Sequence, residues 1–133
     1  CTNHQNKLFN DRMRLESVPN ALAQAKVVSS SIIGNDLTNK EMPWFWSDQL
    51  NIKLQIVGLV DLNSKFEIKV LGSQESSKFS NFIFVDNQLQ AVESINSPGH
   101  HLIMKNNWGK RHLLKKDHLT SDFNLKNFFN SLA

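Results

Sequence analysis

The apolar residues of this chain change their spacing after the first helical segment, and this change restricts the folds that the chain can adopt. In residues 17–33 they recur with the 3.6-residue period of an α-helix, whereas in residues 52–95 they alternate with the period of two that is typical of β-strands. The sequence therefore predicts an α+β protein, in which a helix precedes an antiparallel β-sheet of three to five strands with further helices on one face.

The first helix has clear end signals. Ser17 can cap it, Pro19 suits its first turn and Gly34 supplies its stop, which predicts about four turns. The preceding residues 1–13 are polar without a period and are predicted to be a loop or an extended lead-in. The apolar stripe of the helix comprises Ala21, Leu22, Ala25, Val28, Ile32 and Ile33.

Four strands are predicted downstream, arranged as a meander. Asp86-Asn87 tolerates positive φ, so the last two strands should form an antiparallel hairpin. A helix then starts at Ser97-Pro98, with Leu102, Ile103 and Met104 as its apolar face, and the apolar segment 119–132 closes the fold. The strands are expected at residues 52–58, 66–70, 79–85 and 89–95.

Residues 43–49 read Pro-Trp-Phe-Trp-Ser-Asp-Gln and contain two of the three tryptophans of the chain. Tryptophan carries a large rigid ring and an N–H group that needs a partner when it is buried. Two interpretations follow from the residues alone. The segment is either a strand or turn edge whose rings cap the core, or an aromatic platform for a planar ligand.

Residues 14–21 read RLESVPNA and are followed by QA, a helix ending in IIG, then PWFWSDQ and a strand KLQIVGL. This ordered pair of motifs resembles the C-terminal third of the FAD-dependent ferredoxin–NAD(P) reductases that serve dioxygenases, P450s and rubredoxins. The resemblance extends from about Arg14 to about Asn96. It implies that residues 1–40 are the C-terminal tail and helix of an FAD-binding domain, and that residues 41–133 are the reductase C-terminal α+β domain.

The chain has only five glycines and contains neither a G-x-G-x-x-G fingerprint nor a G-x-x-x-x-G-K-[ST] loop. In the family that it resembles, two Rossmann-like domains supply this machinery. We therefore expect a fragment that starts near the end of the last acidic ligand loop of the FAD domain, binds no FAD or NAD(P) alone and is inactive without those domains. Its uncovered helix and tryptophans should leave an apolar patch, so self-association as a homodimer is expected.

The resemblance also implies roles for particular residues. Glu16, Ser17 and Val18 would lie at the pyrimidine edge of the flavin, where a helix N-terminus stabilises the negative charge of the reduced ring. Trp46 would lie beside the isoalloxazine, on the path of electrons to an iron–sulfur partner, while Trp44 and Phe45 would pack in the core. Without the resemblance, Ser17 is simply a helix cap.

The net charge is +3, and the positive charge is concentrated in residues 100–133. Two interpretations remain open: a solvated surface, or a face that steers an acidic ferredoxin or rubredoxin. The cations proposed to bind that partner are Lys110, Arg111, Lys115 and Lys116.

Other functional classes have little support. Adjacent His100 and His101 diverge on a helix and have no acid or cysteine at ligand spacing, so no metal site is predicted. No nucleophile-elbow glycines surround any serine, and the C-terminal phenylalanines have core spacing rather than that of a nucleic-acid platform. The apolar runs are too short to span a membrane, and one cysteine fits a reducing compartment, so a soluble cytoplasmic protein is expected. The alternative function is a non-enzymatic dimerisation or protein-interaction module.

Overall fold

The computed structural model describes residues 1–6 and 11–132. The chain divides into two compact units, Cys1–Phe45 and Trp46–Ala133, which are described separately. The boundary expected between residues 40 and 41 lies a few residues before this division. Within the described residues, every helix is too short or too polar to cross a membrane.

The first unit begins with a short antiparallel pair, β1 (His4–Asn6) and β2 (Asp11–Met13). The sequence predicted only a loop or extended lead-in here, because the polar residues have no period. The two strands pair with His4 opposite Met13 and Asn6 opposite Asp11, and the Arg12 guanidinium also donates to the Asn3 carbonyl at 2.9 Å. Residues 7–10, which were part of the predicted lead-in, lie outside the described residues.

The first helix, α1 (Val18–Ile32), has the predicted limits. Ser17 is its N-cap, and Gly34 follows with φ +80°, the left-handed conformation that glycine adopts without steric cost. Only Asn20 and Ala23 are buried, whereas Leu22 is 60% exposed and Ile32 is 79% exposed. The predicted stripe therefore forms the exposed apolar patch that was expected.

The second unit is built on a five-stranded antiparallel sheet, as predicted. The strands are β3 (Trp44–Gln49), β4 (Ile52–Gly58), β5 (Glu67–Ser73), β6 (Lys78–Val85) and β7 (Gln88–Ile95). Their order in the sheet is β3-β4-β7-β6-β5, so β4 pairs with β7 and the meander prediction is wrong for this strand. Alternation identifies strands but not their partners, and the connection after Gly58 carries the chain to the far edge before β5 begins.

The hairpin between β6 and β7 confirms the prediction made from Asp86-Asn87. Both residues have positive φ, 50° and 58°, as the two central residues of a type I′ turn require. Phe82 lies opposite Val92 in the resulting register, and both are completely buried. This hairpin is therefore the centre of the sheet.

The helices of the second unit cover one face of this sheet. The second helix, α2 (Pro98–Asn106), packs on β7 and β4, and α3 (Leu125–Asn130) packs on α2. Between them lie the 3-10 helices Trp108–Leu113 and Lys116–His118. The core side chains include Val57, Phe82, Phe84, Leu89, Val92, Met104, Trp108, Leu114, Leu125 and Phe129.

The buried stripe of α2 differs from the prediction. Met104 is buried, but Leu102 is 57% exposed and His101 is buried instead. Positions 101, 104 and 108 follow the helical i, i+3, i+7 spacing, so the stripe continues into Trp108. The error arose from treating an uninterrupted apolar run as a face.

Candidate functional site

The N-terminus of α1 has an ordered cap that leaves one amide available. Ser17 is extended, with φ −131° and ψ 151°, and its Oγ accepts from the Asn20 N–H at 3.4 Å. The Asn20 side chain donates to the Leu15 carbonyl at 2.7 Å, which fixes the chain entering the helix. Because Pro19 has no N–H, Val18 is the only one of the first three helical residues whose N–H the cap does not use.

The charges around this N-terminus suit an anionic ligand. The first turn contains no acidic residue, so the positive end of the helix dipole is not neutralised within the helix. The carboxylate of Glu16, which directly precedes the N-cap in the sequence, forms an ion pair with Arg14 at 2.9 Å, and both side chains are largely exposed. The structure therefore brings Glu16, Ser17 and Val18 together at a helix N-terminus, as the sequence predicted.

Trp46 lies on β3 with 42% of its surface exposed, which suits a ring that contacts a ligand or partner. The expectation that Trp44 and Phe45 fill the core is wrong for Phe45, which is 40% exposed, and Trp44 is only half-buried. The reason is that β3 is an edge strand, which offers fewer neighbours to cover its rings. Asp48 pairs with Lys53 of the next strand at 3.6 Å, consistent with a local structural role.

The four predicted partner-binding cations lie in or beside the two 3-10 helices, and all are half-buried. The Lys110 ammonium donates to the Leu132 carbonyl at 3.0 Å. The Arg111 guanidinium lies 5.1 Å from the centre of the Trp108 ring, and burial lowers the pKa of Arg111. These contacts hold both side chains against the fold.

Lys116 is the most strongly engaged of the four. Its ammonium donates to the Glu67 carboxylate on β5 at 2.6 Å, and its backbone N–H donates to the Asn87 side chain at 3.2 Å. The hydrogen bond and charge of Lys116 lower the pKa of Glu67, and the same hydrogen bond raises the pKa of Lys116. The adjacent Lys115 N–H is bonded to the His118 ring at 3.1 Å. The charge of Lys116 is thus paired with that of Glu67 within the chain.

A buried polar cluster that the sequence analysis missed lies under the start of α2. Ser80 and Ser94 face each other across β6 and β7, both fully buried, with their hydroxyl oxygens 2.9 Å apart. The Ser80 hydroxyl also lies 3.0 Å from Nδ1 of His100, and burial lowers the pKa of His100. The pairing of two serines at core positions becomes visible only when the register of β6 and β7 is known.

This cluster is a satisfied part of the core, because a buried hydroxyl requires such partners. The Ser80 hydroxyl is fully buried, so it cannot reach an external substrate. His101, next to His100, is buried as well, and burial followed by the charge of Lys105 lowers its pKa. Residues 1–6 and 11–132 contain no group of three or more His, Cys, Asp and Glu side chains that could hold a metal ion.

Residues 44–129 match the sequence family described as Reductase C-terminal. Rhodocoxin reductase from Rhodococcus erythropolis is 39% identical over 90 residues, which are 68% of this chain and 21% of that protein. Putidaredoxin reductase from Pseudomonas putida is 37% identical over 98 residues, which are 74% of this chain and 23% of that protein. The matched part of the chain therefore spans less than a quarter of the length of these two relatives.

Solved structures agree with the sequence matches. The ferredoxin reductase for the CYP199A2 system from Rhodopseudomonas palustris has a TM-score of 0.85 and 31% identity, over 96% of this chain and 31% of that chain. The covalent putidaredoxin reductase–putidaredoxin complex gives a TM-score of 0.82 and 31% identity, over 96% of this chain and 30% of that chain. The family match includes well over half of the residues of this chain, so the chain belongs to the Reductase C-terminal family.

Proposed function

We propose that this chain is the C-terminal part of a flavoprotein reductase that passes electrons from NADH or NADPH, through FAD, to a ferredoxin or rubredoxin. The observation that carries the proposal is the match of residues 44–129 to the reductase family. The relatives support it, since their names include putidaredoxin, rhodocoxin and rubredoxin–NAD(+) reductases. In this proposal residues 1–40 complete an FAD-binding domain, and residues 41–133 form the C-terminal domain.

The nucleotide-binding parts must come from outside these residues. The chain contains no glycine-rich dinucleotide motif, so the FAD and NAD domains of a reductase are its required partners. Contact with one edge of a flavin is too small to offset the free-energy cost of binding, so this contact alone does not retain the cofactor. The chain by itself is therefore proposed to bind neither FAD nor NAD(P) and to be inactive.

The N-terminus of α1 fits the pyrimidine edge of a flavin. FAD, when bound, accepts a hydride and releases electrons singly, and its reduced ring carries negative charge. The Val18 N–H and the positive end of the helix dipole would stabilise that charge, and Ser17 holds the first turn in place. Because the Glu16 carboxylate is paired with Arg14, we propose that Glu16 contributes through its backbone.

Trp46 is proposed to serve the electron-transfer step to the iron–sulfur partner. Its ring is partly exposed and lies on an edge strand, where an aromatic group can cover a flavin and shorten the gap to a docked partner. The neighbouring residue Phe45 is a matched control, because it is similarly exposed, at 40% against 42%. Adjacent residues of a strand point to opposite faces, so Phe45 cannot replace Trp46.

The test is a chimera in which residues 14–133 replace the matching segment of putidaredoxin reductase. The chimera should retain FAD, oxidise NADH and reduce a small artificial acceptor. Trp46→Ala should change the rate of flavin reduction by NADH by no more than about twofold. It should slow electron delivery to the ferredoxin by roughly tenfold or more, which corresponds to an increase of about 1.4 kcal/mol in the activation free energy. Phe45→Ala should change neither rate.

Two outcomes of stopped-flow measurements of both half-reactions would contradict this proposal. If the chimera folds without retaining FAD, the chain is not the flavin-completing part of a reductase. If Trp46→Ala slows both half-reactions equally, or neither, then Trp46 is not on the path of the electrons.

The second candidate function is a non-enzymatic interaction module. The exposed apolar side chains of α1 favour it, since Val18, Leu22 and Ile32 are each at least 60% exposed. A reductase also has a use for this surface, because an FAD domain would cover it. Leu22→Lys separates the two functions: loss of FAD by the chimera supports the reductase, whereas retained FAD with loss of self-association of the 133-residue chain supports the interaction module.

A further inference from the structure

Strand β5 is an edge strand with an open outer side. Within the described residues its strand partner is β6, and the sheet order places it at the end opposite β3. Ile68 is 48% exposed and Val70 is 44% exposed, and Phe66 just before the strand is 41% exposed. An edge of this kind presents unpaired N–H and C=O groups and can accept another strand.

The side chains of β5 restrict which strand can pair with it. Glu67 and Lys69 lie opposite the core residues Phe84 and Phe82 of β6, so both are on the face that the helices cover. Ile68 lies on the opposite face. A purely apolar strand added at this edge would leave the charges of Glu67 and Lys69 without partners. Charged side chains on natural edge strands prevent unspecific pairing in this way.

A second copy of β5 meets this restriction. When two copies run antiparallel with Ile68 opposite the partner's Ile68, Glu67 lies opposite the partner's Lys69, and Lys69 lies opposite the partner's Glu67. The same register places Phe66 opposite the partner's Val70 on the other face. Two-fold symmetry therefore creates two Glu–Lys pairs and two Phe–Val pairs from four residue types.

We infer that β5 is a homodimerisation edge, through which two copies of this chain join their sheets with Ile68 on the two-fold axis. Glu67 remains able to form the cross-strand pair although Lys116 binds one of its oxygens at 2.6 Å, because a carboxylate has a second oxygen and further lone pairs. Lys116 also lowers the pKa of Glu67, so this carboxylate stays charged to a lower pH than an isolated glutamate does. The inference is independent of the proposed reductase function.

The test is a charge exchange measured by sedimentation of the 133-residue chain over a range of concentrations. Glu67→Lys and Lys69→Glu each place like charges opposite one another twice, so each should weaken the dimer by roughly tenfold or more. The double variant should restore the wild-type dissociation constant, and an equimolar mixture of the two single variants should form heterodimers.

Two controls separate this effect from others. Lys126→Glu makes the same change in net charge as Lys69→Glu, but at an exposed position of α3, and should leave the dimer unchanged. Lys116→Gln removes the internal partner of Glu67 and should leave dimerisation within about threefold. Should either single variant unfold, Val70→Lys provides the test instead and should weaken the dimer, because it places one lysine of each copy opposite the partner's Phe66.

The inference is overturned if the chain is monomeric at every concentration, or if a dimer persists unchanged through Glu67→Lys and Lys69→Glu. Failure of the double variant to restore a dimer would also overturn it. Loss of the dimer on Leu22→Lys but not on the charge exchange would assign self-association to the exposed face of α1.

Discussion

Gly58 is the position in the sheet where one added methyl group should cost most stability. It ends β4 with φ +85°, a conformation that residues with a Cβ rarely adopt. A Cβ at this position would overlap both the Gln90 carbonyl oxygen and the Trp108 ring. Trp108 is 5% exposed, so its ring can move aside only by disturbing the core.

The expected loss has two parts. Holding alanine in the left-handed region costs about 1–2 kcal/mol, and forcing extra volume into a packed core costs about 1–3 kcal/mol. Gly58→Ala should therefore lower the free energy of unfolding by roughly 2–5 kcal/mol. The total free energy of unfolding of a small domain is only about 5–15 kcal/mol, so this loss is a large fraction of it. With a urea m value of about 1 kcal/mol/M, the midpoint should fall by about 2 M or more.

Urea unfolding followed by circular dichroism measures this loss. Gly109→Ala is the matched control, since nothing lies within 4 Å of its added Cβ and its φ is not in the left-handed region, and it should stay within about 0.5 kcal/mol of the parent. In a Trp108→Ala background the overlap with the ring disappears, so the penalty of Gly58→Ala should shrink to that of the backbone and the Gln90 carbonyl. A Gly58→Ala variant as stable as the Gly109→Ala control would refute this reasoning.

Three further predictions concern the buried histidines, the charge of Lys115 and flavin binding. Burial lowers the pKa of both His100 and His101, so the unfolded chain takes up protons before the folded chain as the pH falls. The free energy of unfolding should therefore fall as the pH drops from about 6.5, the ordinary histidine pKa, toward the lowered folded pKa values. His100→Gln should flatten this fall in urea midpoints measured from about pH 7.5 to about pH 5, and an unchanged slope would contradict the prediction. In the chimera, Lys115→Gln should slow reduction of an acidic ferredoxin at low salt but not at high salt, while Lys40→Gln has no effect; equal effects of both would show that charge position is irrelevant. The purified chain should be colourless, and flavin bound at near-unit stoichiometry would refute the need for other domains.

The local elements of the fold could be predicted because their signals are local. Ser17 and Gly34 mark the ends of α1, and the positive φ values of Asp86 and Asn87 produce the expected hairpin. The pairing of β4 with β7 could not be predicted, since it joins strands separated by two others in the sequence. An alternating pattern specifies which face of a strand is buried but does not specify its neighbour.

The candidate site residues were chosen from a family resemblance rather than from local signals. Spaced motifs identified the family, and the structure adds where those residues lie: Val18 at an ordered helix start and Trp46 exposed on an edge strand. The internal contacts of the cations could not be predicted from the sequence, because Lys116 and its partner Glu67 are 49 residues apart in the chain. The Ser80–Ser94 pair was missed likewise, since serine in an apolar strand has no meaning until the register is known.

The contact at Gly58 also sets the position of the basic segment. The Trp108 ring packs directly on Gly58, and the Arg111 guanidinium lies over that ring at 5.1 Å, so the backbone of β4 supports a cation proposed to face a partner. Only glycine permits this close approach of a ring to the strand. A side chain at residue 58 would push Trp108 outward and move Arg111 with it. The conformational freedom of one glycine is therefore needed both for the packed core and for the placement of charge on the surface above it.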